Sequence, residues 1–221
     1  MMLGNISHKL GEFQKMKIKL LIAACSLCLT STMALAQDDT QTREEKDEQR
    51  QQHSGQKMNY SFIEVSSLQY DMDIGGVDIE PDGYNLNLSL SLGDSLFGVV
   101  DRKRSDGSFA GADYDFDTEG YGFGLRGDSW FASYTYNTWE MGNTEFDVDT
   151  IRLGFRDQWT KNLEFNASYS WNNIEDADND DGFQVGLAYS ISDSFDLIAE
   201  YETIGGHFDI DYVSAGIRLN F

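Results

Sequence analysis

The sequence predicts an all-β fold, an antiparallel up-and-down transmembrane β-barrel of ten strands, with eight as the alternative. Three observations carry that expectation. The last ten residues, Tyr212 to Phe221, alternate strictly: Val213, Ala215, Ile217, Leu219 on one face, Tyr212, Ser214, Gly216, Arg218, Asn220 on the other. Period-2 alternation marks a strand with one apolar side, and small residues with an arginine on the polar side suit a barrel lumen. Second, short polar turns begin at Gly93, Gly127, Thr160 and Ser192, spaced 34, 33 and 32 residues apart. Each interval holds a strand, a longer loop and a returning strand. Third, the chain opens on an export signal, and no apolar run of helical spanning length follows it.

Residues 1–36 carry that signal. Lys17 and Lys19 precede the apolar run Leu20–Leu29, and Ala34-Leu35-Ala36 gives a small-residue exit, so cleavage before Gln37 is expected. Met16 is the better start, because Met1–Lys15 would make an unusually long basic leader. Ile22-Ala23-Ala24-Cys25 also has the form of a lipoprotein signal, yet with Met16 as the start the apolar run before that cysteine, Leu20–Ala24, is only five residues long. Cys25 and Cys28 are the only cysteines, so the mature chain has no thiol for a disulfide, a thiolate metal site or a nucleophile.

Without residues 1–36, the 16 basic and 38 acidic residues fall to 12 and 37, a net charge of −25. Such a chain repels nucleic acid and is no candidate to bind it. A membrane protein this polar is expected only as a barrel, where every second strand residue faces the lumen. The segment 37–58, almost free of apolar residues until Met58, is expected to be a polar disordered extension in the periplasm.

The barrel is expected over residues 59–221, with strands near 60–71, 84–92, 96–104, 118–126, 130–140, 146–158, 163–172, 182–190, 195–202 and 209–221. Tyr84/Leu86/Leu88/Leu90/Leu92 against Asn85/Asn87/Ser89/Ser91, and Leu163/Phe165/Ala167/Tyr169/Trp171 against Glu164/Asn166/Ser168/Ser170, set the alternation most clearly. The first and third strands leave their register open, since Asn59–Tyr70 is apolar on both faces and Leu96–Val100 is apolar throughout. Loops near 72–83, 105–117, 141–145, 173–181 and 203–208 lie opposite the tight turns, the asymmetry of outer-membrane barrels. A water-soluble fatty-acid-binding type of barrel would invert the faces. Against it stand the export signal and the aromatics Tyr84, Trp130, Trp171, Tyr189 and Phe221 near strand ends, placed as interfacial girdles. Pro81, the single proline, falls in a loop.

The opening Asn59-Tyr60-Ser61-Phe62-Ile63-Glu64 and the closing Gly216-Ile217-Arg218-Leu219-Asn220-Phe221 resemble the first and last strands of the small outer-membrane β-barrel proteins of Gram-negative bacteria, the OmpA/OmpX-type superfamily. The best-known members have eight strands, two fewer than counted here. The resemblance implies a place in the outer membrane among lipid and lipopolysaccharide, and assembly through the barrel-assembly machinery, with Phe221, Leu219 and Ile217 as the signal it reads. A monomer is expected. Ten-stranded outer-membrane proteases have a similar architecture but use Asp and His constellations, whereas the only histidines after the signal are His53 in the extension and His207 in a short loop. No catalytic residue, cofactor or metal ligand is assigned.

Two charged sets remain. Arg126, Arg152, Arg156 and Arg218 on descending strands, with Glu64, Glu164, Asp196 and Glu200 on ascending ones, are expected to face inward in the periplasmic half and pair there, plugging the lumen. Arg102, Lys103 and Arg104 are expected on the extracellular rim, where they meet lipopolysaccharide phosphates. Acidic loops (Asp71/Asp73/Asp78/Glu80/Asp82, Asp113/Asp115/Asp117/Glu119, Glu175/Asp176/Asp178/Asp180/Asp181) keep the surface soluble or hold a weak divalent ion, although the last lacks the glycine position and closing Glu of an EF-hand. The expected function is that of a non-enzymatic outer-membrane protein in envelope integrity or surface interaction; a narrow pore for small solutes is the alternative, and an enzyme comes third.

Overall fold

The computed structural model describes residues 58–73, 78–109, 112–175, 177–206 and 208–221. The expected signal, nearly all of the polar extension, His53, Asp176 and His207 lie outside them. Among the described residues every regular element is a strand: β1 (Phe62–Asp73), β2 (Asp78–Ile79), β3 (Asp82–Ser91), β4 (Leu96–Phe109), β5 (Ala112–Arg126), β6 (Trp130–Met141), β7 (Thr144–Thr160), β8 (Leu163–Ile174), β9 (Asp180–Ser192), β10 (Phe195–Gly205) and β11 (Asp209–Asn220).

The ten long strands pair antiparallel with their chain neighbours, and β1 closes on β11 in an unbroken register from Phe62↔Asn220 to Asp73↔Asp209. Closure leaves no unpaired edge. β2 is a two-residue addition to β1, pairing Ile79 with Met72, and the Tyr70 amide donates to the Pro81 carbonyl at 3.0 Å just below it. The predicted boundaries hold within two residues except over 105–117 and at the end of β10, which runs on from the expected 202 to Gly205. Over 105–117 the ladder runs on through Phe109↔Ala112, so the expected loop is largely hairpin.

One rim carries the tight turns. The Leu92 amide donates to the Leu96 carbonyl and the Gly127 amide to the Trp130 carbonyl, both at 2.9 Å. Gly93 holds φ at 109°, a left-handed conformation that a side chain would strain. Met58 and Phe221 lie at the same rim, because β1 begins and β11 ends there.

Alternation then sorts every strand into an inner and an outer row. β1 resolves its register by burying Phe62, Glu64, Ser66, Leu68, Tyr70 and Met72 and turning out Ile63, Val65, Ser67, Asp71 and Asp73. β4 turns in Phe97 and Ser105 and turns out Leu96 and Val100. Each long strand exposes at least two large apolar side chains, among them Leu86, Phe123, Leu153, Phe183, Leu197 and Leu219, so a belt of them encircles the molecule. The five girdle aromatics all point outward, from Tyr189 at 42% exposed to Phe221 at 64%. Toward the loop rim the belt ends in carboxylates: the Tyr134 hydroxyl donates to Asp149 Oδ1 at 2.5 Å and Tyr201 to Asp211 Oδ1 at 3.2 Å.

The glycines of β5 explain how a narrow barrel fits its contents. A Cβ on Gly124 would stand 2.2 Å from the Phe97 ring, and one on Gly154 of β7 2.2 Å from the Phe131 ring. Those two rings fill the lumen against neighbouring walls that have no side chain of their own.

Candidate functional site: the closed lumen

From the turn rim inward, the lumen is built in three layers. The lowest is the short segment before β1. Met58 and Tyr60 are buried with Phe97, and Phe131 packs against them. Tyr60 lies between two guanidinium groups, with Arg126 and Arg156 each 4.8 Å from its ring centroid. Arg126 donates to the carbonyls of Met58 (3.1 Å) and Gly93 (2.9 Å), and Arg156 donates to the carbonyl of Asn59 (2.9 Å).

Above it lies a chain of ion pairs. Arg218 Nε donates to Glu64 Oε1 at 2.5 Å, and its Nη1 to Glu164 Oε1 at 2.9 Å. Arg156 holds the same Glu164 through Nε at 2.6 Å and Nη2 at 3.0 Å, a two-point clamp. Asp196 Oδ2 is 3.9 Å from Arg218 and accepts from Asn220 Nδ2 at 2.8 Å. The rings of Phe62 and Tyr60 cover the guanidinium faces. Both arginines and Glu64 are almost fully buried. Charges so enclosed persist only when paired and hydrogen-bonded.

Arg152 forms a separate centre. It donates to Ser168 Oγ at 3.3 Å, to Gln184 Oε1, and to Glu202 Oε1 at 2.6 Å. Glu202 also accepts from the Tyr212 hydroxyl. Thus six of the eight residues expected in the network, Arg156, Arg218, Glu64, Glu164, Asp196 and Arg152, stand in ion pairs. Arg126 meets no carboxylate among the described residues, and Glu200 lines the lumen without joining the clamp. Sequence reasoning missed Glu202, although the Leu197/Ala199/Tyr201 alternation on β10 already assigns it inward.

The upper layer is apolar. Leu68, Tyr70, Met72, Phe116, Trp139, Met141, Val148, Ile174, Phe208, Ile210 and Tyr212 form one buried cluster at the loop end. Tyr70 packs edge-on against Phe116 (5.3 Å) and Tyr212 (5.4 Å), and Phe116 against Trp139 (6.3 Å). Nothing in the alternation announces this roof. It is made of inner-row positions that are apolar instead of polar, which is why β1 is apolar on both faces. Between roof and ion pairs lies a chamber of about 230 Å³, whose walls include Asn87, Asn137, Asn166, Ser133, Thr135 and Glu200.

The expected cationic rim is corrected at Lys103. By alternation Arg102 and Arg104 turn out of β4 while Lys103 turns in, lines the chamber, and sets its ammonium 4.8 Å from the Tyr212 ring centroid. Arg102 pairs with Glu119 at 2.6 Å and Arg104 with Asp117 at 3.5 Å, so both outer cations already face carboxylates of β5. Asp180 is also not a solvated loop acid: it is fully buried and accepts from the Phe208 amide at 3.0 Å. Ile217, Leu219 and Phe221 stand in one outward row at the turn end of the belt.

No known protein family matches the chain, and no curated protein matches it. Among solved structures it is similar to the translocator domain of the autotransporter NalP from Neisseria meningitidis, at 11% identity and a TM-score of 0.45, over 87% of this chain and 98% of that one. It is similar to the KdgM porin in complex with disordered oligogalacturonate, at 9% identity and a TM-score of 0.43, over 72% and 99% of the two chains. A third is Ail, the attachment invasion locus protein of Yersinia pestis, at 13% identity, 74% and 100% coverage and a TM-score of 0.36.

Proposed function

We propose that this chain is an integral outer-membrane barrel with a closed lumen, without enzymatic activity, serving envelope integrity or surface interaction through its loop end. The observation that carries this reading is the inversion of polarity. The outer wall is a continuous apolar belt, and the inner wall is polar and ion-paired over its lower half. Soluble proteins rarely expose a contiguous apolar surface of that extent, whereas lipid requires it. The turn rim then faces the periplasm and the loop rim the exterior. Ile217, Leu219 and Phe221 are the row offered to the barrel-assembly machinery.

Among the described residues, Arg102 and Arg104 are the outward cations through which lipopolysaccharide is approached, and each is already engaged by a carboxylate. Direct phosphate binding is therefore weaker than three free cations would give. A narrow pore is the second reading, favoured by the chamber. Planar-bilayer recording of the purified protein separates the two: the closed barrel gives no steady current, and an ohmic conductance supports the pore. Recovery of the protein in the inner membrane or the soluble fraction would contradict the outer-membrane reading.

A further inference from the structure

Residues Met58–Tyr60 belong to the lumen without belonging to the barrel. The ladder starts at Phe62, and residues 58–61 have no strand assignment, yet the side chains of Met58 and Tyr60 are buried. Their attachments come from the wall: Arg126 to the Met58 carbonyl, Arg156 to the Asn59 carbonyl, and Ser89 Oγ to the Tyr60 carbonyl at 2.8 Å. The Tyr60 ring adds two cation–π contacts and lies 4.8 Å from Phe97. None of these is a ladder hydrogen bond. The segment can therefore leave while every strand stays paired.

Tyr60 is also a wall of the chamber, together with Phe97, Phe131 and Arg156. On the side of the barrel formed by β4–β7, the chamber thus ends on this segment, not on the Arg218 ion pairs. From this geometry we infer that the turn-end mouth is a docking site for the chain's own Met58–Tyr60, and that this segment is a removable plug whose departure opens the chamber to the periplasmic side. Arg126 accounts for itself in this arrangement. Among the described residues it is the one inward arginine without a carboxylate, and two of its hydrogen bonds tie the plug to the Gly93 turn. The roof is untouched, so an unplugged barrel gains an open vestibule without gaining a through pore. The sidedness rests on the proposed membrane orientation; the plug itself does not.

The test uses Ser133→Cys, an inward position on the chamber wall, in the chain reconstituted in lipid vesicles, with a small charged methanethiosulfonate as reagent and the unsubstituted chain as blank. Residues 58–221 contain no native cysteine. Adding Tyr60→Ala is expected to raise the labelling rate about tenfold or more, since protection is lost with the local closed state. Tyr60→Phe keeps the ring and is expected to leave the rate unchanged. Should Tyr60→Ala fail to give folded barrel, Met58→Gly is measured in its place, with the same acceleration expected. Equal rates with and without the plug substitution overturn the inference. A steady ohmic current through the unsubstituted chain instead strikes the closed-barrel reading, so the two failures are distinguishable.

Discussion

Arg218→Met is the substitution from which the lumen account predicts most. Arg218 is 4% exposed and holds Glu64 at 2.5 Å, Glu164 at 2.9 Å and Asp196 at 3.9 Å. Its three partners do not suffer equally. Glu164 keeps the Arg156 clamp, and Asp196 keeps Asn220. Glu64, itself 6% exposed, has no second ion pair among the described residues. The loss is therefore that of one buried carboxylate left uncompensated, about 3–5 kcal/mol, because desolvation is no longer offset. Arg156→Met is expected to cost less, since Glu164 would still face Arg218. The assay is reversible unfolding in lipid vesicles, followed by tryptophan fluorescence. Adding Glu64→Gln to Arg218→Met removes the stranded charge and is expected to recover at least half of the loss, a coupling read from the double-mutant cycle. A cost under about 1 kcal/mol for Arg218→Met, the range of solvated pairs, would refute the dry lumen.

Three further outcomes follow from the same structure. Leu153→Arg, on the outward row of β7, is expected to cost about 2–4 kcal/mol in lipid, the penalty for a cation near the bilayer midplane; an unchanged unfolding midpoint in vesicles would deny that position its lipid contact. Gly124→Val puts a Cβ 2.2 Å from the Phe97 ring and is expected to destabilise by about 1–3 kcal/mol through overpacking. Recovery in the double variant Gly124→Val/Phe97→Ala checks that cause. Arg102→Ala removes an exposed pair with Glu119 and is expected to change stability by no more than about 1 kcal/mol, with any effect shrinking as salt rises.

The fold was legible because alternation and turn spacing are local signals. β8 and β9 expose Tyr169, Trp171, Phe183 and Tyr189 and bury Ser168, Ser170 and Ala188, as their period-2 pattern requires. Where the inner row is itself apolar, polarity cannot tell in from out. That is the case for Leu68, Tyr70 and Met72 on β1, and for Phe97 and Val99 on β4. Lys103 follows from the same ambiguity: once Phe97 is known to face inward, Lys103 six residues on must do so too. The ion pairs were legible as a set of inward residues but not as partners, because partnership depends on which strands lie opposite across the bore. Glu64 and Arg218 are 154 residues apart in sequence and direct cross-strand neighbours. The roof and the Met58–Tyr60 plug had no periodic signature, since each forms from side chains brought together only by closure.

The inversion of the barrel is tested most directly on β8, with nitroxide labels placed singly at Phe165, Asn166, Ala167, Ser168, Tyr169 and Ser170 in lipid-reconstituted protein. The odd positions face the belt and the even ones the lumen. Collision with lipid-soluble oxygen is expected to be high at the odd positions and low at the even ones, while a water-soluble nickel chelate reaches neither at mid-depth. Nickel accessibility at Phe165, Ala167 and Tyr169 would place the apolar row in water and contradict the membrane barrel.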